Sequence, residues 1–205
     1  MKHADLLIRA MHASIAAKRS FITDTAQHQI FEQAVEHALT VYRNGGRIYV
    51  AGNGGSAADA QHLAAELVGR LERERGPLPA EAMTVDTSLL TAVANDYGFE
   101  WVFQRQVIGR MESRDLFIAI STSGNSPNIL RALESCRQRG IRSLLFGGRD
   151  GGQAATLADY VLIAPGNSVN TIQELHIVFA HALCAALEAE LCPMEGEENT
   201  PGAAE

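Results

Sequence analysis

The sequence predicts a single α/β domain: a parallel sheet with helices on both faces, preceded by N-terminal helices. The first observation behind this is the apolar run Ile48-Tyr49-Val50-Ala51, which empties into Gly52-Asn53-Gly54-Gly55 and then an alanine-rich segment from Ser56 to Val68. That order reads as a buried strand, a turn that glycines make easily, and a helix. The second is a repeat of the same order, with Asp115 to Ile120 as strand, Ser121 to Ser126 as turn, and Pro127 where a first helical residue stands. The third is that the remaining segments keep alternating, so that right-handed crossovers leave every strand's C-terminal end on one edge of the sheet. The Gly52 and Ser121 turns can therefore meet there.

In chain order, Asp5 to Val41 carries Leu6, Leu7, Ile15, Phe21, Ile30, Phe31, Val35 and Ala38 at mixed three and four spacing, without glycine or proline, and reads as two helices. They precede the first strand, so their apolar faces must pack on the sheet edge or on another subunit. Asn44-Gly45-Gly46 ends the second helix, and the strand Arg47 to Ala51 follows. Arg70 to Pro77 reads as a solvated charged stretch because its signs alternate, and Arg70 to Pro79 is the expected closing loop. Ala82 to Val85 is expected as a second strand ending at Asp86, Thr87 to Ala94 as a short helix, and Trp101 to Met111 as an amphipathic helix. After the helix Ile129 to Arg139 come a strand at Ser143 to Phe146, a turn at Gly147 to Gly152, a short helix at Ala154 to Leu157, a strand at Tyr160 to Ala164, and a helix from Val169 to Leu191. The tail from Cys192, with Pro193, Pro201, glycines and glutamates, is expected to be disordered.

A chain of 205 residues suffices for one domain with a sizeable core. Its formal charge of -7 argues against a general affinity for nucleic acid or anionic membrane surfaces. No apolar run reaches the ~18 residues a membrane span requires. Cys136, Cys184 and Cys192 are odd in number and unpatterned, and the first residues lack a signal-peptide pattern, so a cytoplasmic address is expected. Lysine occurs only at Lys2 and Lys18, which leaves Schiff-base chemistry and a phosphate-loop lysine almost no candidate.

The chemistry starts at the two turns. Free N–H groups and the dipole at the start of the Ser56 helix make the glycine turn an anion site. Ser121, Thr122, Ser123 and Ser126 supply four hydroxyls at a second helix start, where capping alone would need one. His62 and Glu66, at i and i+4, share one helix face, where they can hold a metal or divide acid and base work. On the last helix Gln173, Glu174, His176 and His181 sit in an apolar segment, with Gln173 and His181 on roughly one side. A rival reading takes Gly52-x-Gly54-x-x-Ala57 as a relaxed dinucleotide fingerprint with Asp86 as the ribose carboxylate, but leaves the Ser121 turn and the His62/Glu66 pair without a task.

The combination of Gly52 to Ser56 with His62 and Glu66, Ala94-Asn95-Asp96, Ile120 to Ser126, Gly151-Gly152, and Ile172-Gln173-Glu174-Leu175-His176 with His181 resembles the sugar isomerase (SIS) domain family, and within it the phosphoheptose isomerase branch. The resemblance covers about residues 1 to 192, so that residues 193 to 205 form the tail. It implies aldose-ketose isomerisation of sedoheptulose 7-phosphate to D-glycero-D-manno-heptose 7-phosphate through an enediol, in the service of surface glycan (lipopolysaccharide) synthesis. It implies a homotetramer with sites at subunit interfaces, and a zinc ion bound by His62, Glu66, Gln173 and His181. Glu66 and His181 would be the catalytic pair. Asn53, Gly54, Gly55, Ser56, Asn95, Asp96, Ser121, Thr122, Ser123 and Ser126, with Glu66 and Gln173, would hold the substrate. Another branch of the family, a replication regulator that binds the initiator protein, shares the N-terminal helices and both turns but not the complete His/Glu pair. A non-catalytic module that senses a phosphosugar or binds such a protein is therefore the alternative expectation.

Overall fold

The computed structural model describes residues 3–192, so the expected tail lies outside the described residues. Two helices, α1 (His3–Ile22) and α2 (Thr25–Arg43), lead into β1 (Ile48–Gly52). Asp24 caps α2 by accepting the Gln27 N–H, a short side-chain bond that lets the chain turn between the two helices. The chain continues through α3 (Gly55–Val68), β2 (Ala80–Ala82), α4 (Thr87–Tyr97), a 3-10 turn at Phe99–Trp101, α5 (Val102–Arg110), β3 (Leu116–Ser121), α6 (Pro127–Gln138), β4 (Arg142–Gly148), a 3-10 turn at Gln153–Thr156, β5 (Tyr160–Ala164) and α7 (Val169–Leu191).

All strand pairings are parallel, in the order β2-β1-β3-β4-β5. Strands β1 and β3 are buried along their whole length, as continuous apolar runs covered on both faces must be. One core unites α2, α3 and α7 on one face through Leu39, Leu63, Leu67, Ile172, Phe179 and Leu183. The other unites α4, α5 and α6 through Val93, Phe103, Val107, Ile129 and Leu133. Helix α7 is long and apolar enough to cross a membrane by length and composition, although polar residues interrupt its apolar run. In the fold Ile172, Leu175, Phe179, Leu183 and Leu187 of that helix are buried in the first core.

Three sequence expectations are corrected. The second strand is Ala80–Ala82, not Ala82 to Val85: Ala80 pairs with Ile48, Met83 N–H donates to Val50 O, and the chain then turns so that Asp86 caps α4. Val85, the β-branched residue that suggested a strand, is exposed. The expected short helix at Ala154 to Leu157 is a single 3-10 turn one residue earlier. The charged stretch after α3 is solvated at Arg70 and Glu74, yet the side chains of Arg75 and of Glu188 on α7 are both only 1% exposed.

Glu188 also overturns the expectation that residues 70 to 79 close over the site. Its carboxylate accepts the N–H groups of Leu71, Glu72 and Arg73 at 2.8, 3.0 and 3.1 Å and the Arg75 Nε at 3.0 Å. Leu78 N–H donates to Leu67 O as well, so the stretch is tied to α3 and α7 along its length. Alternating signs could not announce this, because the carboxylate comes from the far end of the chain.

Burial alone would raise the Glu188 pKa, but the three backbone N–H groups and the Arg75 guanidinium outweigh it and hold the carboxyl down at about 2. A carboxyl lowered from its usual 4.5 stabilises the fold fully above 4.5 and loses that contribution as pH falls towards 2. Denaturant titrations between pH 5 and pH 2 are expected to show the wild type losing stability across this window, and Glu188→Gln, already weaker at neutral pH, losing less with acid.

Candidate active site

The strand order places β1 beside β3, and the helices that follow them leave on opposite faces: α3 belongs to one core and α6 to the other. Such a divergence opens a crevice outside the carboxyl ends of the strands, where ligands of open α/β sheets bind. Residues 53–54 line one wall of it and 121–126 the other. The two walls are joined by a reciprocal amide pair: Asn53 Nδ2 donates to Asn128 Oδ1 at 2.9 Å, and Asn128 Nδ2 donates to Asn53 Oδ1 at 2.8 Å. Asn128 is buried at the start of α6, and its Oδ1 also accepts the Ile129 N–H.

The serine turn is built against the turn after β4. Ser121 Oγ accepts the Gly124 N–H, Ser123 Oγ accepts the Asn125 N–H, and Asn125 Oδ1 accepts the Gln153 N–H. Gly124 has φ +63, and a Cβ there would stand 1.8 Å from the Gly151 carbonyl oxygen, so no other residue fits without moving backbone. Among the described residues no side-chain hydrogen bond engages Thr122 or Ser126, which leaves their hydroxyls for a ligand. A cavity of about 490 Å³ runs from Asn53, Ser126 and Asn128 to Phe99, Glu100 and Arg131. The Arg131 guanidinium lies 4.1 Å over the Trp101 ring at its far end.

Helices α3 and α7 run side by side in the same direction. At their N-terminal ends the Gln173 amide lies against Gly55, where an added Cβ would come within 2.2 Å of Nε2. Two turns further His62 Nε2 and His181 Nε2 approach to 2.8 Å, with ring planes at 66°. Glu66 Oε1 is 3.6 Å from the same His62 nitrogen. All three side chains are half-buried, and one ligand atom from each lies within 4.8 Å of the others. A contact between two Nε2 atoms needs one N–H and one lone pair, or two lone pairs directed at a shared cation. Two imidazole nitrogens and a carboxylate oxygen so close together fit a zinc ion or another borderline cation, with a position left open.

The polar groups of α7 divide between its sides. His176 is fully buried, donates its Nε2–H to Gly147 O at 2.9 Å, and is held neutral because burial pushes its pKa down to about 4. Glu174 turns to α1, where it accepts from Ser14 and lies 3.9 Å from Lys18 Nζ. Gln173 and His181 face α3, as expected, eight positions and so about 12 Å apart along the axis. In this structure Gln173 is thus at the glycine turn, and the close cluster has three members.

The other expected residues are placed as follows. Gly54 caps α3 with φ +56, and Ser56 is buried in its first turn. Asn95 and Asp96 end α4 on an exposed face, bonded to each other at 2.8 Å. Asp86, the carboxylate of the rival dinucleotide reading, accepts the Leu89 N–H and the Arg110 guanidinium, so its oxygens are already occupied. Asn128, Arg75 and Glu188 went unnoticed in the sequence. Asn128 follows Pro127 at a helix start, where an Asn draws little notice, and the other two declare themselves only through each other.

Residues 12–144 match the family model of the SIS domain. The chain is 46% identical over 184 residues to the phosphoheptose isomerase of Aneurinibacillus thermoaerophilus, covering 90% of this chain and 93% of that one. It is 50% identical over 153 residues to the phosphoheptose isomerase of Aquifex aeolicus, covering 75% and 80%. The solved phosphoheptose isomerase of Neisseria gonorrhoeae superposes with a TM-score of 0.85 at 38% identity, covering 92% of this chain and all of that one.

The contact between Gly55 and Gln173 can be tested directly. Gly55→Ala meets only the end of a flexible side chain, so the melting temperature is expected to move by less than about 3 °C. The Gln173 side-chain amide must swing away, and its ¹⁵N–¹H resonances are expected to shift clearly against wild type.

Proposed function

Since the chain belongs to the SIS (sugar isomerase) domain family, we propose that it converts sedoheptulose 7-phosphate to D-glycero-D-manno-heptose 7-phosphate, an aldose-ketose isomerisation through an enediol. The observation that carries this reading is the convergence of His62, Glu66 and His181 beside two turns suited to a phosphate. The phosphoheptose isomerases similar to this chain support the substrate class. The alternative of a non-catalytic sensing or protein-binding module gives that convergence no task.

In this reading the glycine turn and the Thr122 and Ser126 hydroxyls bind the phosphate, with the N-terminus of α6 adding partial positive charge. Asn53 through Ser56, Asn95, Asp96, Ser121, Ser123 and Gln173 are proposed to shape the rest of the substrate site. Glu66 takes a proton from C1, beside the C2 carbonyl, and returns it to C2. His181 delivers a proton to O2 and accepts the one leaving O1, so every atom of the ketose is present in the aldose. A zinc ion held by His62, Glu66 and His181 would supply polarisation of the substrate oxygens, with Gln173 left at the glycine turn.

We also propose a cytoplasmic homotetramer with sites at subunit interfaces, working in lipopolysaccharide or other surface glycan synthesis. Its support in the fold is α1, which touches α7 through Ser14 and Ala17 while Leu6, Leu7, Ile8 and Met11 remain exposed.

Incubation with sedoheptulose 7-phosphate in deuterated water, followed by NMR, tests the reaction. Deuterium on the carbon beside the carbonyl and an aldose product are expected, with turnover reduced by a chelator. Glu66→Gln is expected to lower kcat at least about a thousandfold with assembly unchanged. Absence of exchange and product from folded, zinc-supplied protein would sink the isomerase and favour the module.

A further inference from the structure

Glu66 and His181 reach the site from different helices, so their separation depends on what holds α3 against α7. In the last turn of α3 the carbonyls of Glu66 and Leu67 have no further turn to supply N–H donors. Arg75 supplies them: its Nη2 donates to Glu66 O at 2.8 Å and its Nη1 to Leu67 O at 2.8 Å. The same guanidinium donates through Nε to Glu188 Oε1 at 3.0 Å. Glu188 stands seven positions after His181 on α7, two turns on and therefore on the same side of that helix. One buried, planar cation thus grips the peptide carbonyl of Glu66 itself and a carboxylate on the His181 side of the partner helix.

The geometry also restrains the cation from turning. The remaining Glu188 lone pairs are taken by three backbone N–H groups, and Arg75 Nη1 further donates to Gly76 O at 2.9 Å. A guanidinium with its donors distributed in a fixed fork transmits position between its partners, as an ammonium cannot. Resting on the reading of Glu66 and His181 as the proton-transfer pair, we propose that Arg75 and Glu188 are positioning residues for that pair, fixing the Glu66 turn of α3 at a set distance from the His181 segment of α7. Proton transfer to carbon tolerates little misplacement, and about 1 Å can cost up to 10²-fold.

The test compares the full chain as wild type, Arg75→Lys and Glu188→Gln, at a temperature where circular dichroism shows them folded. Kinetics with sedoheptulose 7-phosphate and calorimetric titration with zinc ions are the two readouts. Lysine keeps a cation opposite Glu188 but cannot hold Glu66 O, Leu67 O and Oε1 in one fork. Arg75→Lys is expected to lower kcat at least about tenfold with KM within about twofold, and to weaken zinc binding at least about fivefold, with Glu188→Gln shifting both in the same direction. A folded Arg75→Lys whose kcat and zinc affinity both stay within about twofold of wild type, with only the melting temperature lowered, overturns the proposal. If Arg75→Lys does not fold, Glu188→Gln, which keeps an oxygen for the backbone N–H groups, decides by the same criteria. A wild type without turnover fails the isomerase reading instead, and the zinc comparison then decides whether the positioning stands.

Discussion

The parallel packing of α3 on α7 is the constraint on which the site depends. Both helices follow strands of a parallel sheet and lie on the same face, so they run in one direction and their turns stay in step. Three links mark the seam, at Gly55 with Gln173, at His62 with His181, and at the Glu66 carbonyl with Glu188 through Arg75. The steps between them are eight and seven residues on α7 and seven and four on α3, whole numbers of turns that keep one stripe of each helix in contact. The middle link is the chemical one, and the outer two hold it from both ends. Shifting either helix by one turn, about 5.4 Å, would separate the two imidazoles and leave the buried Glu188 without its cation.

The two walls of the crevice are built differently. Their phosphate-suited turns are rigid because most of their polar groups are satisfied within the fold: Asn53 with Asn128, Ser121 with Gly124, Asn125 with Gln153. A half-buried amide pair that exchanges two hydrogen bonds sets the distance between the β1 and β3 turns, since parting them would leave donors and acceptors unpaired, at up to about 1–3 kcal/mol for the buried Asn128. The hydroxyls of Thr122 and Ser126 stay outside this network. Fixed backbone amides with a few uncommitted hydroxyls suit an anion whose charge must be met without lysine.

Most of the element order was legible in the sequence because continuous apolar runs at residues 48 to 51 and 115 to 120, each followed by a turn and a helix, admit few other folds. The β2 strand was not, since Ala80-Glu81-Ala82 has no β-branched residue and is a strand only because Ile48 to Val50 offers it an edge. His62, Glu66 and His181 were legible by residue type and spacing. Spacing also held a warning about His176, which lies five positions and so about 140° around the helix from His181, towards the sheet. Arg75 was hidden in a run of alternating charge, and only burial separates it from Arg70. Long-range polar pairs of this kind leave no local pattern, because their spacing is set by tertiary packing and not by the period of a helix.

Helix α1 leaves Leu7, Met11 and Ile15 uncovered at four-residue spacing, one stripe along its length, while Ser14 and Lys18 on another side bind Glu174 beside Gln173. The helix is therefore anchored to the site helix by polar contacts and presents an apolar stripe outward, the arrangement expected of an element whose second partner is another subunit. Asn95 and Asp96, bonded to each other, are likewise exposed at the end of α4. A fold that leaves an apolar stripe and an amide-carboxylate pair open at its surface is complete as a domain and incomplete as a surface. The proposed homotetramer would supply the missing cover, and through Glu174 a force on α1 from a neighbouring subunit would reach the helix that carries Gln173 and His181.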